Sequence, residues 1–296
     1  MILLDGKITA EKIKETIKQE LITYTNRGYR KPHLAAILVG NDGASRTYVD
    51  SKERNSLALG FNSSILRLPE NTTEDYLLQK IEEINQNDDI DGLLVQSPVP
   101  AHINEKKITQ AIAYHKDVDG FNDINMGKLA KGDSGFIPAT PLGVMLMLQA
   151  YNIETTGKHC VVVGRSNIVG RPMSILMSNN TPYGNCSVTI CHSRTQHIEH
   201  FTRQADILIV ALGKPSFIKA NMVKPEAVVI DVGITRIEDT NRKSGYYLKG
   251  DVDFEEVKHA ASYLTPVPGG VGLMTIAALL SNTFTAYKNH LGITNE

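Results

Sequence analysis

Cysteine is scarce: Cys160, Cys186 and Cys191 are all that 296 residues contain. Their number is odd and none stands in C-x-x-C spacing, which argues against a disulfide framework and thiol chemistry and fits a reducing compartment. Charge of one sign is missing as well. The formal net charge of −1 removes the electrostatic motive for binding nucleic acid and points to small, discrete ligands. Long apolar runs are also wanting, since no window approaches 18 uninterrupted apolar residues and the start Met1-Ile2-Leu3-Leu4-Asp5-Gly6-Lys7 has no basic segment followed by an apolar one. A cytoplasmic protein with no membrane and no nucleic-acid partner is expected. Nine histidines are scattered, and the pair His197 and His200 stands at i,i+3 without an arranged carboxylate, so no metal site is expected.

What is present is ordinary globular composition, 42% hydrophobic and 21% charged, in a chain about twice the length of a modal domain. Two domains sharing a cleft are the expectation. Ile13, Ile17 and Leu21 mark one face of a helix over 10–26, followed by a strand at 34–39. Asp42 or Ser45 can cap a helix to about Leu59, a strand follows at 63–68, a helix at 73–87, and a buried strand at Gly92-Leu93-Leu94-Val95. Residues 116–140, rich in Gly, Asp and Asn, read as loops before a helix that Pro141 starts. Strands at 159–163, 187–191, 207–211 and 228–231 then alternate with helical patterns, and a last helix runs from about Met274 to Asn289. The fold class is therefore α/β: two α/β lobes flanking a cleft, the second Rossmann-like, with the last helix packing back on the first. The expected division is 1–141 plus 273–296 for the first lobe and 142–272 for the second.

An apolar strand, Val161-Val162-Val163, runs directly into Gly164-Arg165-Ser166-Asn167-Ile168-Val169-Gly170, a glycine turn that opens a helix. Backbone N–H groups at such a turn hold a pyrophosphate. Of the three glycines in the dinucleotide pattern G-x-G-x-x-G only two are here, Gly164 and Gly170, and the carboxylate that an NAD ribose expects about 20 residues on is missing. The next strand ends instead in His192-Ser193-Arg194-Thr195, which suits a 2′-phosphate, and Arg165 can add a guanidinium fork. The cofactor so indicated is NADP. The plainer alternative makes Arg165 and Arg194 solvated surface residues.

Tyr48 and Lys52 stand four apart, on one face of a helix. A lysine beside a phenol in a desolvated cleft can have its pKa drawn down until it takes and gives protons at working pH, although a surface lysine is the default for such a position. Y-x-x-x-K is also the catalytic pair of short-chain dehydrogenases, but there it lies downstream of the glycine turn, and here it lies more than a hundred residues upstream. Gln96 sits where a parallel strand ends, a place where open α/β sheets gather ligand groups. Asp117 and Asp119 lie two apart in a loop, so that one can cap while the other grips the N–H pair of a pterin-like ring. Thr265-Pro266-Val267-Pro268-Gly269-Gly270-Val271-Gly272 is stiff and then flexible, fit to shape a pocket or simply to link.

Together, Tyr48…Lys52, Gln96-Ser97-Pro98, Lys116-Asp117-Val118-Asp119-Gly120, Pro138-Ala139-Thr140-Pro141, Gly164-Arg165-Ser166…Val169-Gly170, Cys191-His192-Ser193, Gly250-Asp251-Val252-Asp253-Phe254 and Pro268-Gly269-Gly270-Val271-Gly272 resemble the bifunctional methylenetetrahydrofolate dehydrogenase/methenyltetrahydrofolate cyclohydrolase family over nearly the whole chain. The resemblance implies NADP-dependent oxidation of 5,10-methylenetetrahydrofolate and hydrolysis of the methenyl product to 10-formyltetrahydrofolate. It also implies tetrahydrofolate derivatives as partners and a homodimer formed through the nucleotide lobe. By the family's motifs Lys52 is the essential catalytic group, with Tyr48 orienting it and stacking on the folate and Gln96 holding its proton state. Asp119 anchors the pterin, Pro268 and Gly269 line its pocket, and Gly164, Arg165, Ser166, Ser193 and Ile234 hold NADP.

Three positions depart from the family's habit: Ala139 for a common Cys, Ser97 for a common Leu and Leu273 for a common Pro. They bear on pocket shape and remove no acid, base or phosphate ligand. The rivals are a dehydrogenase without cyclohydrolase activity and a catalytically silent folate- or nucleotide-binding protein. Lys52, Gln96 and Asp119 argue against the first, and Lys52 and Arg165 against the second.

Overall fold

The computed structural model describes residues 1–242 and 245–293. Its first elements are β1 (Ile2–Leu3), α1 (Gly6–Asn26), β2 (His33–Val39), α2 (Gly43–Leu59), β3 (Asn62–Leu68), α3 (Glu74–Asn85), β4 (Gly92–Val95), α4 (Glu105–Ala111), α5 (Asp123–Lys131) and α6 (Ala139–Ala150). They continue with β5 (His159–Val163), α7 (Gly170–Ser178), β6 (Ser187–Cys191), α8 (Ile198–Thr202), β7 (Ile207–Val210), β8 (Val228–Asp231), β9 (Thr235–Glu238), β10 (Tyr246–Lys249), α9 (Phe254–Val257), β11 (Tyr263–Leu264) and α10 (Val271–His290). The chain divides into two units, one of residues 11–139 and 276–296, the other of 1–10 and 140–275.

The first unit is built on a parallel sheet ordered β3-β2-β4. His33-Leu34-Ala35-Ala36-Ile37-Leu38-Val39 is buried from its second residue on, as a central parallel strand covered on both faces must be. Helices follow the strands and are capped as polar side chains dictate. Asp42 accepts from the Ser45 N–H at the start of α2, and Thr73 from the Tyr76 N–H at the start of α3. The C-terminal part of α10 closes the core of this unit, where Ile276, Leu280, Phe284 and Tyr287 pack with Ile17, Leu21, Leu59 and Phe61. The Tyr287 hydroxyl donates to the Arg30 carbonyl at 2.7 Å. The expected return of the last helix to the N-terminal lobe is therefore what the structure shows.

The second unit carries a six-stranded parallel sheet ordered β1-β11-β8-β7-β5-β6 and a β9-β10 antiparallel hairpin. Its core is Val161, Val163, Leu208, Val210, Val229 and their neighbours, the side chains of short, wholly apolar strands. Among the described strands, none pairs with the far edge of β6.

Four expectations need correction. Residues 1–10 belong to the second unit, not the first, because Ile2 and Leu3 pair with Tyr263 and Leu264 and so satisfy backbone groups at the edge of the large sheet. Residues 273–275 likewise stay with the second unit. The stretch 116–140 is not all loop: α5 forms there, with Asn122 capping its start and Gly132, at φ 76°, ending it. Pro141 does not start α6 but sits third in it, still within the first turn, where a missing N–H costs no helical bond.

Candidate active site

On α2 the buried residues Ser45, Val49, Lys52, Ser56 and Leu59 recur every three or four positions, so Lys52 lies on the inward stripe of its helix. It is 5% exposed. Its Nζ donates to Gln96 Oε1 at 3.2 Å and stands 4.9 Å from the centroid of the Tyr48 ring, one turn earlier. Gln96 lies just past the end of β4, where its N–H still donates to the Ile37 carbonyl and its side-chain Nε2 donates to the Ser97 carbonyl. That second bond fixes the amide with its oxygen turned to Lys52. The Ser97 hydroxyl in turn donates to Glu105.

The two loop carboxylates separate as their spacing allows. Asp117 is buried and accepts from the N–H groups of Gly120 and Asn122 and from Asn125 Nδ2, so it builds the loop. Asp119 is half-buried and its charge acts on Lys52. Burial draws the Lys52 ammonium below its ordinary pKa, and the Asp119 carboxylate opposes this in part. Lys52, Tyr48, Gln96 and Asp119 thus form one constellation, a desolvated amine with a neutral acceptor, an aromatic face and a nearby negative charge. Such a group can exchange protons near neutral pH.

In the other unit, β5 runs into Gly164, whose φ of 134° is closed to ordinary side chains and where a Cβ would stand 2.3 Å from the Ala211 carbonyl oxygen. Ser166 Oγ accepts from the N–H groups of Val169 and Gly170 at the start of α7. A cavity of about 450 Å³ opens over this turn, and its lining includes Gly164, Arg165, Ser166, His192, Ser193 and Lys214. No carboxylate is among its described lining residues, and Arg165 and Lys214 supply two cations. A glycine cradle, the Ser166 and Ser193 hydroxyls and that charge fit a dinucleotide bearing an extra phosphate.

Sequence reasoning did not single out Lys214 or the role of Asp251. Asp251 is wholly buried, and its carboxylate accepts from the N–H groups of Leu212, Gly213 and Lys214, the loop that forms one wall of the cavity. Beside it Asp231 accepts from the N–H groups of Gly233, Asp251 and Val252, and burial pushes its carboxyl up to about 7. The motif Gly250-Asp251-Val252-Asp253-Phe254 was visible, but what it braces is about 38 residues away and was not. Gly233 and Gly250 have no room for a Cβ against these two carboxylates.

Ile234 is 50% exposed next to Gly272 and does not line the cavity over Gly164, and Arg194 does not line it either. Pro268 and Gly269 occupy the loop between β11 and α10, where the Gly269 carbonyl accepts from the Gly6 N–H. All three cysteines are free and buried, and burial pushes the Cys186 thiol up to about 11.

Comparison with known proteins adds to this geometry. Residues 4–119 match the catalytic domain, and residues 138–291 the NAD(P)-binding domain, of tetrahydrofolate dehydrogenase/cyclohydrolase. A protein of Flavobacterium johnsoniae named bifunctional protein FolD is 56% identical over 288 residues, covering 97% of this chain and 98% of that one. The crystal structure of the bifunctional enzyme FolD, methylenetetrahydrofolate dehydrogenase/cyclohydrolase, from Campylobacter jejuni superposes with a TM-score of 0.92 at 47% identity, covering 98% of this chain and 99% of that one. The Trypanosoma brucei methylenetetrahydrofolate dehydrogenase-cyclohydrolase, complexed with NADP and an inhibitor, does so with a TM-score of 0.93 at 33% identity and 98% coverage of each.

Proposed function

The chain belongs to the tetrahydrofolate dehydrogenase/cyclohydrolase family, and from that premise we propose how its own residues divide the work. The protein is a bifunctional enzyme that oxidises 5,10-methylenetetrahydrofolate with NADP and hydrolyses the resulting 5,10-methenyl compound to 10-formyltetrahydrofolate. Bound NADP supplies the hydride acceptor. Gly164 leaves room for its pyrophosphate, the Ser166 hydroxyl can donate to it, and Arg165 with Ser193 would hold the 2′-phosphate. Ile234 and the pterin-pocket residues Pro268 and Gly269 take their roles from the family motifs.

The observation that carries the reading is the buried Lys52 ammonium held by Gln96 under the Tyr48 ring. A neutral Lys52 amine takes a proton from the water that attacks the methenyl carbon. The resulting ammonium is stabilised by Gln96 Oε1, then returns its proton to the folate nitrogen whose bond to that carbon breaks. The hydroxyl on the carbon gives up its own proton to solvent as the formyl group forms, so one proton is released per turnover. Asp119 favours the ammonium form and accepts N–H donors of the pterin.

No described helix is long and apolar enough to cross a membrane. The cytoplasm as its location, and a homodimer through the second unit, are part of the proposal, the latter supported by the unpaired edge of β6 and its 41% exposed Ile190. The decisive experiment follows the absorbance of purified protein given methylenetetrahydrofolate with NADP or NAD. The methenyl chromophore should rise with reduced cofactor and then decay enzymatically. Absence of either phase would overturn the assignment of that activity.

A further inference from the structure

The largest cavity described, about 550 Å³, lies wholly within the unit of residues 11–139 and 276–296 and has no part in the site built on Lys52. Asp91, which lines it, immediately precedes β4, whereas Gln96 follows that strand. The four residues of the strand, five steps along the chain, separate the two by roughly 16 Å at the usual rise, so the cavity opens at the opposite end of the sheet. Its volume is in the range that small-molecule sites occupy.

The chemistry of the lining is specific. Lys116 is 3% exposed, and its ammonium donates to the carbonyls of Ile84 and Asn87 and is in no described ion pair, the Asp88 and Asp91 carboxylates acting on it from farther off. Lys128 places its ammonium 4.7 Å from the centroid of the Tyr114 ring and is in no described ion pair. Asp91, by contrast, is already neutralised by both guanidinium nitrogens of Arg30, at 2.7 Å each, and by contact with His290. Asp88 remains as the one other carboxylate in the lining, facing two lysines and two histidines, His115 and His290. Burial draws the Lys116 pKa down, and the Asp88 and Asp91 carboxylates oppose this in part. The ring of Tyr114 and the buried Phe136 supply flat apolar wall.

We propose that this cavity is a second ligand site, separate from the catalytic one, that binds a small aromatic carboxylate, with Lys116 and Lys128 taking the carboxylate and Tyr114 and Phe136 the ring. The carboxylate meets two ammonium groups that are in no described ion pair. The aromatic body replaces water against the apolar wall. Nothing in the family assignment uses Lys116, although it opens the motif that carries Asp119.

The test is titration calorimetry of the full chain with 2-naphthoate, with the uncharged 2-naphthylmethanol and with inorganic phosphate. Saturable binding of one naphthoate, undiminished by saturating NADP or by Lys52→Met, is expected, with the alcohol and phosphate binding at least about tenfold more weakly. Lys128→Gln, at a half-buried position with no ion pair to lose, should fold normally, keep both activities and raise the naphthoate Kd by about tenfold or more. No saturable naphthoate binding, binding displaced by NADP, or binding indifferent to Lys128→Gln would each overturn the proposal. Phosphate binding as tightly as naphthoate would overturn the aromatic part of it.

Discussion

Replacing Lys52 by methionine leaves an unbranched apolar side chain one atom shorter and removes the amine that carries the charge and the proton. The ammonium is 5% exposed, bonded to one neutral oxygen at 3.2 Å and otherwise faced by the Tyr48 ring, with Asp119 near enough to be felt but not in contact. Replacing buried charged groups by apolar ones of similar volume often stabilises proteins by about 1–4 kcal/mol, and the loss of attraction to Asp119 places this case toward the lower end, ~1–2 kcal/mol. The melting temperature should rise by about 2–4 °C per kcal/mol. Sign follows from the direction of the pKa shift. With the folded pKa below the ordinary 10.5, the unfolded chain holds more protons in the window between the two values, so wild-type stability increases with pH there. The advantage of Lys52→Met is therefore greatest at low pH and disappears above that window. Decay of methenyl absorbance should slow by about 10²–10⁴-fold, the usual contribution of a positioned proton-transfer group. Thermal melts and hydrolysis assays on one preparation decide the matter: a variant that hydrolyses within tenfold of wild type, or that melts several degrees lower, refutes Lys52 as the proton carrier.

Wild type should show a higher kcat/KM with NADP than with NAD, and Arg165→Ser should lower the NADP value by about 10–100-fold while leaving the NAD value nearly unchanged, because one charge-assisted contact is lost. Equal values for both cofactors in wild type would refute the charge argument. Gly164→Ala should raise the NADP KM at least about tenfold, since φ 134° costs an alanine ~1–3 kcal/mol and its methyl collides with the Ala211 carbonyl, whereas methenyl hydrolysis should persist. Asp251→Ala strands three N–H donors on the loop 212–214, and we expect the NADP KM to rise with kcat for hydrolysis retained, Asp251→Asn falling between it and wild type. Equal loss of both activities in Asp251→Ala would show a general folding defect in place of a positioning role.

Much of this structure was legible because local pattern and tertiary environment agree. The strands over 34–39 and 159–163 are continuous apolar runs, and burial on both sides is what such runs require. Caps at Asp42 and Thr73 follow from the side chains alone. Agreement fails where a segment's partners are remote. The pair Ile2 and Leu3 is too short to show a period, and its strand exists only because Tyr263 and Leu264 offer an edge. Helix α5 lacks a clear apolar repeat and is fixed instead by Asn125, whose side chain bridges the Tyr114 carbonyl, Asp117 and the Phe136 N–H. The β9-β10 hairpin was not foreseen, being only partly buried and so weakly patterned.

The same limit explains why the functional residues were only partly visible. Lys52, Asp251 and Lys116 are charged, buried, and held chiefly by neutral groups distant in sequence: Gln96, 44 positions away, for the first, the N–H groups 37 to 39 positions away for the second, and two carbonyls 29 and 32 positions away for the third. Each breaks the rule that ions stay in water, and in each the bonded partners are oriented dipoles, the carboxylates of Asp119 for Lys52 and of Asp88 and Asp91 for Lys116 acting from farther off. A lysine or aspartate destined for such a setting looks the same in the sequence as one on the surface, and only its motif sets it apart. Motifs singled out Lys52 through Y-x-x-x-K but gave Asp251 and Lys116 no task. A buried ammonium with no carboxylate bonded to it is costly to keep, so a position that keeps one points to where binding or proton transfer repays the cost, which is the ground on which the cavity at Lys116 stands beside the site at Lys52.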